Sequence, residues 1–185
     1  MNTRQVDTPV HIAFFSEDQL ESVVDLLYDM SAHYNGSNAS DRESVKHNLV
    51  HNILGKDSGV RLIVASDAGR AIGLACISLL YPAPKERGQL FMKEIYVVSG
   101  RRDGGVGRAI MRFVAQYAIE KSCTRFDWTV DDTNPKAIEF YRALGATHVK
   151  GKVYFRFSEA QLLEFATNNR GSADSDGLPG AREAR

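Results

Sequence analysis

Phe91-Met-Lys-Glu-Ile-Tyr-Val-Val-Ser-Gly-Arg-Arg-Asp-Gly-Gly-Val-Gly-Arg-Ala-Ile110 is the stretch that decides the fold, because it changes from strand to helix at a cluster of glycines. Residues 91–98 are rich in β-branched and aromatic side chains, which favour a pleated backbone, and Ser99 and Gly100 then end the strand. From Val106 onward, apolar residues recur on one face of a 3.6-residue period. The stretch therefore predicts a strand, a glycine-rich turn and a helix in direct succession.

The turn between this strand and helix is suited to an anion. Its small residues leave the amides at the helix start uncovered, and a helix N-terminus with free amides suits phosphate oxygens. The residues concerned are Arg102, Gly104, Gly105, Gly107 and Arg108. The turn therefore indicates a ligand that carries a phosphate or pyrophosphate, and a glycine-rich turn without a ligand is the alternative.

Two common phosphate-binding patterns do not fit this turn. A P-loop ends in Gly-Lys-Ser/Thr, whereas this sequence has Gly107-Arg-Ala. The dinucleotide fingerprint Gly-x-Gly-x-x-Gly fails because Ile110 stands three residues after Gly107. We therefore exclude both of these nucleotide-binding folds.

Composition and charge restrict the class of protein. The 185 residues are 43% hydrophobic, which suffices for one core, and the 23 basic residues equal the 23 acidic ones. The net charge of zero therefore gives no overall electrostatic attraction to nucleic acid or an anionic membrane. No apolar run approaches the ~20 residues of a membrane span. Cys76 and Cys123 lack Cys-x-x-Cys spacing and are interpreted as small hydrophobic residues. We expect a cytoplasmic protein without nucleic-acid or membrane partners.

Periodicity and capping signals predict the other elements of the chain. Before the opening stretch they are a strand over about 9–15, a helix from the capping box Ser16-Glu-Asp-Gln19 to about 33–36, a helix from a second capping box Ser40-Asp-Arg-Glu43 to Gly55, and a hairpin of strands 60–66 and 71–80. After it they are a strand over 125–131, a helix opened by Asn134-Pro135 and ended by Gly145, one or two strands at Val149 and 153–157, and a helix capped by Ser158.

Residues 168–185 differ in composition from the rest. Leu178 is their only large apolar residue, so this segment cannot offset the entropy of ordering it. We predict a single domain over residues 1–167 and a disordered C-terminal tail over 168–185.

Two motifs and the order of the elements give the chain a family resemblance. Arg102-Asp-Gly-Gly-Val-Gly107 matches the signature Arg/Gln-x-x-Gly-x-Gly/Ala of the GNAT N-acetyltransferases, and Asn134-Pro-Lys-Ala-Ile-Glu-Phe-Tyr-Arg-Ala-Leu-Gly145 resembles their second motif. The resemblance implies an α/β GNAT fold with a mixed, mostly antiparallel central sheet of about six to seven strands flanked by about four helices. In detail, Glu94-Ile-Tyr-Val and Trp128-Thr-Val-Asp-Asp-Thr-Asn134 are most similar to the branch that acetylates polyamines and other small amines.

The resemblance also implies acetyl-CoA as co-substrate. In the family, the strand before the glycine turn splays from its neighbour and its free backbone groups pair with the pantetheine. In this sequence those groups would belong to Ile95, Tyr96 and Val97. The pyrophosphate would meet the backbone amides of Asp103, Gly104, Gly105, Val106, Gly107 and Arg108.

Three side chains are expected near the cofactor, and two of them, Arg102 and Asn134, have a second interpretation. Arg102 and Arg108 would add positive charge beside the pyrophosphate, although Arg102 as a solvated turn residue is an alternative. Asn134 would reach the cofactor or cap its own helix.

Acyl transfer to an amine requires a base, because an amine of pKa near ~10 is mostly protonated at neutral pH. Glu94 is the candidate, since an acidic side chain inside an apolar strand is costly without a role or partner. The polyamine branch has its catalytic acid one residue earlier, however, and Lys93 occupies that position. Because consecutive strand residues face opposite sides of a sheet, Glu94 is a base, a substrate ligand or an acid on the wrong face.

The departing thiolate requires a proton. Tyr141, seven residues after Asn134, matches the position of the family's general acid. A core tyrosine on an amphipathic helix is the alternative interpretation.

The acceptor wall is assigned to three residues, Tyr34, Asp131 and Asp132. Tyr34 ends the first helix in the part of the fold that builds this wall, and the two aspartates follow the fifth strand. Paired aspartates in a solvated turn are the alternative. His33 has no second ligand at useful spacing, so no metal site is predicted.

These residues together predict an acetyl-CoA-dependent N-acetyltransferase that acts on a small-molecule primary amine. Direct attack in a ternary complex is expected, because no cysteine stands near the turn motif to carry an acyl group. By analogy with the family we also expect a homodimer. Acetylation of a protein lysine or N-terminus, and a CoA-binding sensor without turnover, are the alternatives.

Overall fold

The computed structural model describes residues 10–167, and the chain divides into two units after Gly145. The first unit holds one sheet with helices on both faces, and the second begins at Ala146. None of the helices within residues 10–167 is long and apolar enough to cross a membrane.

The sheet contains five strands, and they lie in the order in which they occur along the chain. They are β1 (His11–Phe14), β2 (Val60–Asp67), β3 (Arg70–Ala83), β4 (Arg87–Val97) and β5 (Cys123–Trp128). The pairings β1–β2, β2–β3 and β3–β4 are antiparallel, and β4–β5 is parallel. The mixed, mostly antiparallel sheet of the GNAT fold is therefore confirmed.

The helices are α1 (Leu20–Asn35), α2 (Arg42–Asn48), α3 (Val106–Glu120), α4 (Pro135–Ala143) and α5 (Glu159–Thr167). One wide turn, Leu49–Ile53, continues α2. Two buried clusters hold helices against the sheet. One contains Val23, Val24, Leu49, Leu74 and Tyr96 and packs α1 and α2 on one face. The other contains Ile63, Ile77, Leu90, Met92, Ile110 and Val114 and packs α3 on the opposite face.

Local capping signals account for where most helices begin and end. Asn134 accepts a hydrogen bond from the Ala137 amide at 3.1 Å, and Gly145 ends α4 at φ +87°. The second capping box was predicted one residue too early. Asp41 accepts from the Ser44 amide at 2.9 Å and therefore caps α2 in place of Ser40.

The strand count predicted from the sequence was too high. Within residues 146–157 no strand is formed, so the described sheet has five strands and not six or seven. Alternating apolar residues show that one side of an extended segment is hydrophobic. A β-strand also requires a neighbouring strand to hydrogen-bond its backbone, and the periodicity of the sequence does not show whether such a neighbour exists. Five helices replace the four expected, and residues 168–185 of the predicted tail lie outside the described part.

β4 carries one extra residue in its pairing with β3. Glu94 lies opposite Cys76 and Met92 lies opposite Ile77, so Lys93 between them has no partner. Such a bulge shifts the alternation of side chains by one residue. Met92 therefore packs on the α3 face, whereas Tyr96 packs on the α1 and α2 face.

β4 and β5 separate beyond the bulge. Their pairing ends at Met92 and Trp128, while β4 continues to Val97. On the β5 side, the edge of residues 93–97 is therefore left without a neighbouring strand. The sheet opens here into a gap.

Candidate active site

The gap between β4 and β5 opens into a cavity of about 370 Å³. Its walls come from the end of α1, the bulge of β4, the loop after β5 and the start of α4. The lining residues are Tyr34, Met92, Lys93, Glu94, Ile95, Thr129, Val130, Asp131, Asn134, Ala137 and Tyr141. Six residues predicted for the site from separate parts of the sequence thus line one cavity.

Glu94 lies at the bulge and is half-buried. Its carboxylate accepts a hydrogen bond from the Ile95 amide at 3.2 Å. Burial raises the pKa of this carboxyl above its usual value, and the Ile95 hydrogen bond and the Lys93 charge partly offset that rise. The bulge therefore brings an acidic group with enhanced basicity to the cavity.

Tyr141 lies on α4 and packs against aromatic rings. Its ring centroid is 5.0 Å from Trp128 and 5.2 Å from Phe140. Burial, with smaller contributions from Glu94 and Tyr34, raises the pKa of the Tyr141 hydroxyl to about 12. This hydroxyl therefore keeps its proton at neutral pH and is available as a donor.

Tyr34 stands at the end of α1 as part of an aromatic cluster. Its ring centroid lies 5.1 Å from His33 and 6.3 Å from Tyr96. Burial and the nearby Glu94 charge raise the pKa of the Tyr34 hydroxyl. Tyr34 thus presents a protonated hydroxyl on the wall that faces Glu94.

The glycine turn leads into α3 without a side-chain cap. Gly105 precedes the helix at φ +81°, where a residue with a Cβ is strained, and the Ala109 amide makes the first helical bond to its carbonyl at 2.9 Å. The amides of Val106, Gly107 and Arg108 therefore lack helical acceptors. A Cβ on Gly107 would stand 3.3 Å from the Phe140 ring, which shows how closely α4 approaches this turn.

The Arg102 side chain is directed back to the strand. Its Nε donates to the Val97 carbonyl at 2.9 Å, and its guanidinium lies over the Tyr96 ring. Arg102 is exposed to solvent, and its guanidinium contacts the end of β4. Arg108 is exposed on the first turn of α3.

The polar residues after β5 are largely occupied by local hydrogen bonds. Asn134 caps α4, as one of its two interpretations required. Asp131 accepts from the Thr133 amide at 3.2 Å and from the Thr133 hydroxyl at 2.9 Å, and these bonds lower its pKa. Asp132 is exposed and lies outside the cavity lining. The two aspartates are therefore arranged as a turn, with only Asp131 on the cavity wall.

Two ionisable residues near the cavity were not assigned to the site from the sequence. Lys93 lines it beside Glu94, and Cys76 lies opposite Glu94 on β3. Burial, and then the charge of Glu94, raises the pKa of the Cys76 thiol to about 12. Both placements depend on the register between β3 and β4, for which the sequence contains no local signal.

The side chains that line the cavity do not include a group of metal ligands. Across residues 10–167, the side chains of histidine, cysteine, aspartate and glutamate do not assemble any group of three that would hold an ion. Glu94 and Asp131 line the cavity without a histidine or cysteine beside them on its wall.

Comparison with known proteins gives one family match that covers most of the chain. The model of the Acetyltransferase (GNAT) family matches residues 24–146. Thialysine N-epsilon-acetyltransferase from Sus scrofa is 36% identical over 80 residues, which are 42% of this chain and 47% of that protein. The chain thus spans about half the length of the curated relatives it matches.

Two solved structures resemble the whole fold. An integron cassette protein from the mobile metagenome of V. cholerae has a TM-score of 0.82 at 32% identity, over 85% of this chain and 98% of the other. An aminoglycoside N-acetyltransferase in complex with CoA has a TM-score of 0.66 at 19% identity, over 85% and 99% of the two chains. At that identity the second comparison shows a common fold alone.

Proposed function

We propose that this chain, which belongs to the acetyltransferase (GNAT) family, transfers an acetyl group from acetyl-CoA to a primary amine of a small molecule. One observation carries the proposal. At the β4–β5 gap, a free strand edge and an uncapped helix start lie beside a cavity lined by Glu94 and Tyr141. This arrangement supports a proposal in which donor binding, base and acid share one location.

The proposed binding mode for acetyl-CoA follows from backbone geometry. The free edge of Ile95, Tyr96 and Val97 offers groups that pair with the amides of the pantetheine. The amides from Asp103 to Arg108 receive the pyrophosphate at the positive end of the α3 dipole. The thioester then lies at the bulge beside the cavity.

Glu94 is proposed as the base for the amine. Its raised pKa makes the carboxylate a better proton acceptor than an exposed glutamate. The bulge supports this role, because it puts Glu94 on the sheet face of Tyr34 and Tyr96, where an amine would enter between α1 and β4. Glu94 accepts a proton from the ammonium, directly or through one water, and the free amine attacks the thioester carbonyl.

Tyr141 is proposed as the acid for the leaving thiolate. Its hydroxyl is protonated at neutral pH because burial disfavours the phenolate. Direct attack is favoured over an acyl-cysteine intermediate, since the Cys76 thiol also stays protonated and a thiol in that form is a weak nucleophile.

Several features favour a small amine as the acceptor. The cavity of about 370 Å³ suits a small molecule, and the carboxylates of Glu94 and Asp131 on its wall attract a cation. We further propose Tyr34 as a wall of the acceptor site, with Asp132 at its rim. The relative named for thialysine supports acceptance of a primary amine.

A homodimer is proposed as the assembly. The basis is analogy with the family, together with the apolar residues Val153, Phe155 and Phe157, which a second copy of the chain could cover. Sedimentation showing one species near the chain mass of 20.5 kDa at micromolar concentration would contradict the dimer.

A cytoplasmic location is also proposed, and the free thiols of Cys76 and Cys123 support a reducing compartment.

A panel of acceptors tests the proposed function. The protein is incubated with acetyl-CoA and, separately, with thialysine, lysine, diamines, an aminoglycoside and peptides with free lysines or N-termini, and thiol release is followed. We expect turnover with at least one small amine and a lower kcat/KM with every peptide. A higher kcat/KM with a peptide than with every small amine would indicate a protein acetyltransferase. Tight CoA binding without any thiol release would indicate a CoA-binding sensor without turnover.

A further inference from the structure

The bulge residue Lys93 presents a primary amine of the protein itself at the cavity. It lines the cavity beside Glu94, and it is exposed. In the described part of the chain no carboxylate lies within 4.0 Å of its ammonium group, since the Glu94 carboxylate is turned to the Ile95 amide. The Lys93 amine is therefore not held in an ion pair.

The distance that this amine must span is short. An acyl donor lying along the free edge of β4 takes the place of a neighbouring strand, about 4.8 Å away. An extended lysine side chain reaches about 6 Å from its Cα. Lys93 is the first residue of that free edge, directly after the last β4–β5 pair at Met92. The length of this side chain therefore allows its Nζ to reach the proposed position of the thioester from within the same chain.

We propose that Lys93 is an acetylation site of this protein, modified by its own active site. The inference rests on the proposed function, because acetyl-CoA is the donor. The Lys93 ammonium gives up a proton to the Glu94 carboxylate or to water, and the neutral nitrogen attacks the thioester carbonyl. A C–N bond forms, the C–S bond breaks, and the thiolate takes a proton to leave as free CoA.

Acetylation of Lys93 has two consequences for the site. It replaces a cation beside Glu94 by a neutral amide, which removes a charge that lowers the pKa of the Glu94 carboxyl. It also adds volume to the cavity wall that the acceptor amine must share. The first change makes Glu94 a stronger base, whereas the second takes space from the acceptor, so the modified chain is expected to show a higher KM for its amine than the unmodified chain.

Mass spectrometry of the intact full-length chain and of its peptides tests the inference. The chain is incubated with isotope-labelled acetyl-CoA without an amine, and the occupancy of each lysine is measured over time. We expect Lys93 to be labelled at least about tenfold faster than any other lysine, because proximity makes its reaction effectively unimolecular. The rate constant should not change with protein concentration.

Matched variants make the result specific. Lys93→Arg should lose this label, whereas Lys136→Arg, which alters an exposed lysine of α4, should keep it. CoA affinity measured by calorimetry shows that both variants are folded. Equal labelling of all exposed lysines, or a rate that rises with protein concentration, would overturn the inference.

The same samples separate this inference from the proposed function. An unlabelled Lys93 in a preparation that acetylates an added amine would overturn the inference alone. CoA binding with neither Lys93 nor any amine acetylated would overturn both.

Discussion

The guanidinium of Arg102 lies over the ring of Tyr96, with its Cζ 5.5 Å from the ring centroid. The Nε of the same guanidinium donates to the Val97 carbonyl at 2.9 Å. Tyr96 is buried and its ring is also near Tyr34 on the cavity wall. Arg102 therefore attaches the start of the glycine turn to the end of β4, between the proposed donor and acceptor sites.

The first prediction concerns what Arg102 contributes to CoA binding. Arg102→Ala should weaken CoA binding by about tenfold, because the turn loses its attachment to Val97. Arg102→Gln should retain more affinity than Arg102→Lys, since a planar amide can both donate to the Val97 carbonyl and lie flat on the Tyr96 ring, whereas a tetrahedral ammonium can donate but has no plane to stack. Calorimetric Kd values for CoA check this. Retained affinity in the lysine variant and a loss in the glutamine variant would assign Arg102 to direct charge on the phosphates.

The second prediction concerns Gly105, which precedes α3 at φ +81°. Gly105→Ala should lower the free energy of unfolding by about 1–2 kcal/mol, because a Cβ is strained in this region of φ. Gly100→Ala is the matched control, since its Cβ would meet nothing within 4 Å and its φ is not in that region. Urea denaturation measures both. Equal stabilities of the two variants would show that the turn relaxes without cost.

A feature of this site can be predicted from the sequence when it depends on residues that are close together along the chain. The N-cap at Asn134 and the glycine C-cap at Gly145 require only neighbouring residues, and both were predicted. The bulge at Lys93 is set by which residues of β3 lie opposite β4, so the face of Glu94 could not be read from alternation.

The same limit explains two other outcomes. The strands expected at Val149 and 153–157 required a partner that periodicity does not identify, and the described segment forms none. The direction of the Arg102 side chain depends on its contacts with Tyr96 and Val97. A sequence motif specifies which residue types occur at each position, so it does not predict where that side chain points.

The third prediction concerns Glu94 as the base. Glu94→Gln should lower kcat/KM at neutral pH and recover part of it as the pH approaches the pKa of the amine, near ~10, because a free amine then needs no base. In the wild type, the rate should fall as the pH drops through the Glu94 pKa. Burial raises that pKa, so this acid limb should lie above the ordinary value of 4.5.

Asp131→Asn is the control for this series. Asp131 lines the same cavity, but hydrogen bonds from Thr133 lower its pKa and make it a poor base. The kcat/KM of Asp131→Asn should therefore show no recovery at high pH. A Glu94→Gln profile that is low and flat across the pH range would make Glu94 a substrate anchor.

The most direct measurement compares binding and turnover in Tyr141→Phe. This variant removes one hydroxyl with little change of volume, so the contacts of Tyr141 with Trp128 and Phe140 should persist. If Tyr141 protonates the thiolate in the β4–β5 gap, the Kd for CoA should be unchanged while kcat with the best amine falls by roughly 10²–10⁴-fold. An unchanged kcat would contradict this assignment, because water would then protonate the thiolate and Tyr141 would be a packing residue of α4.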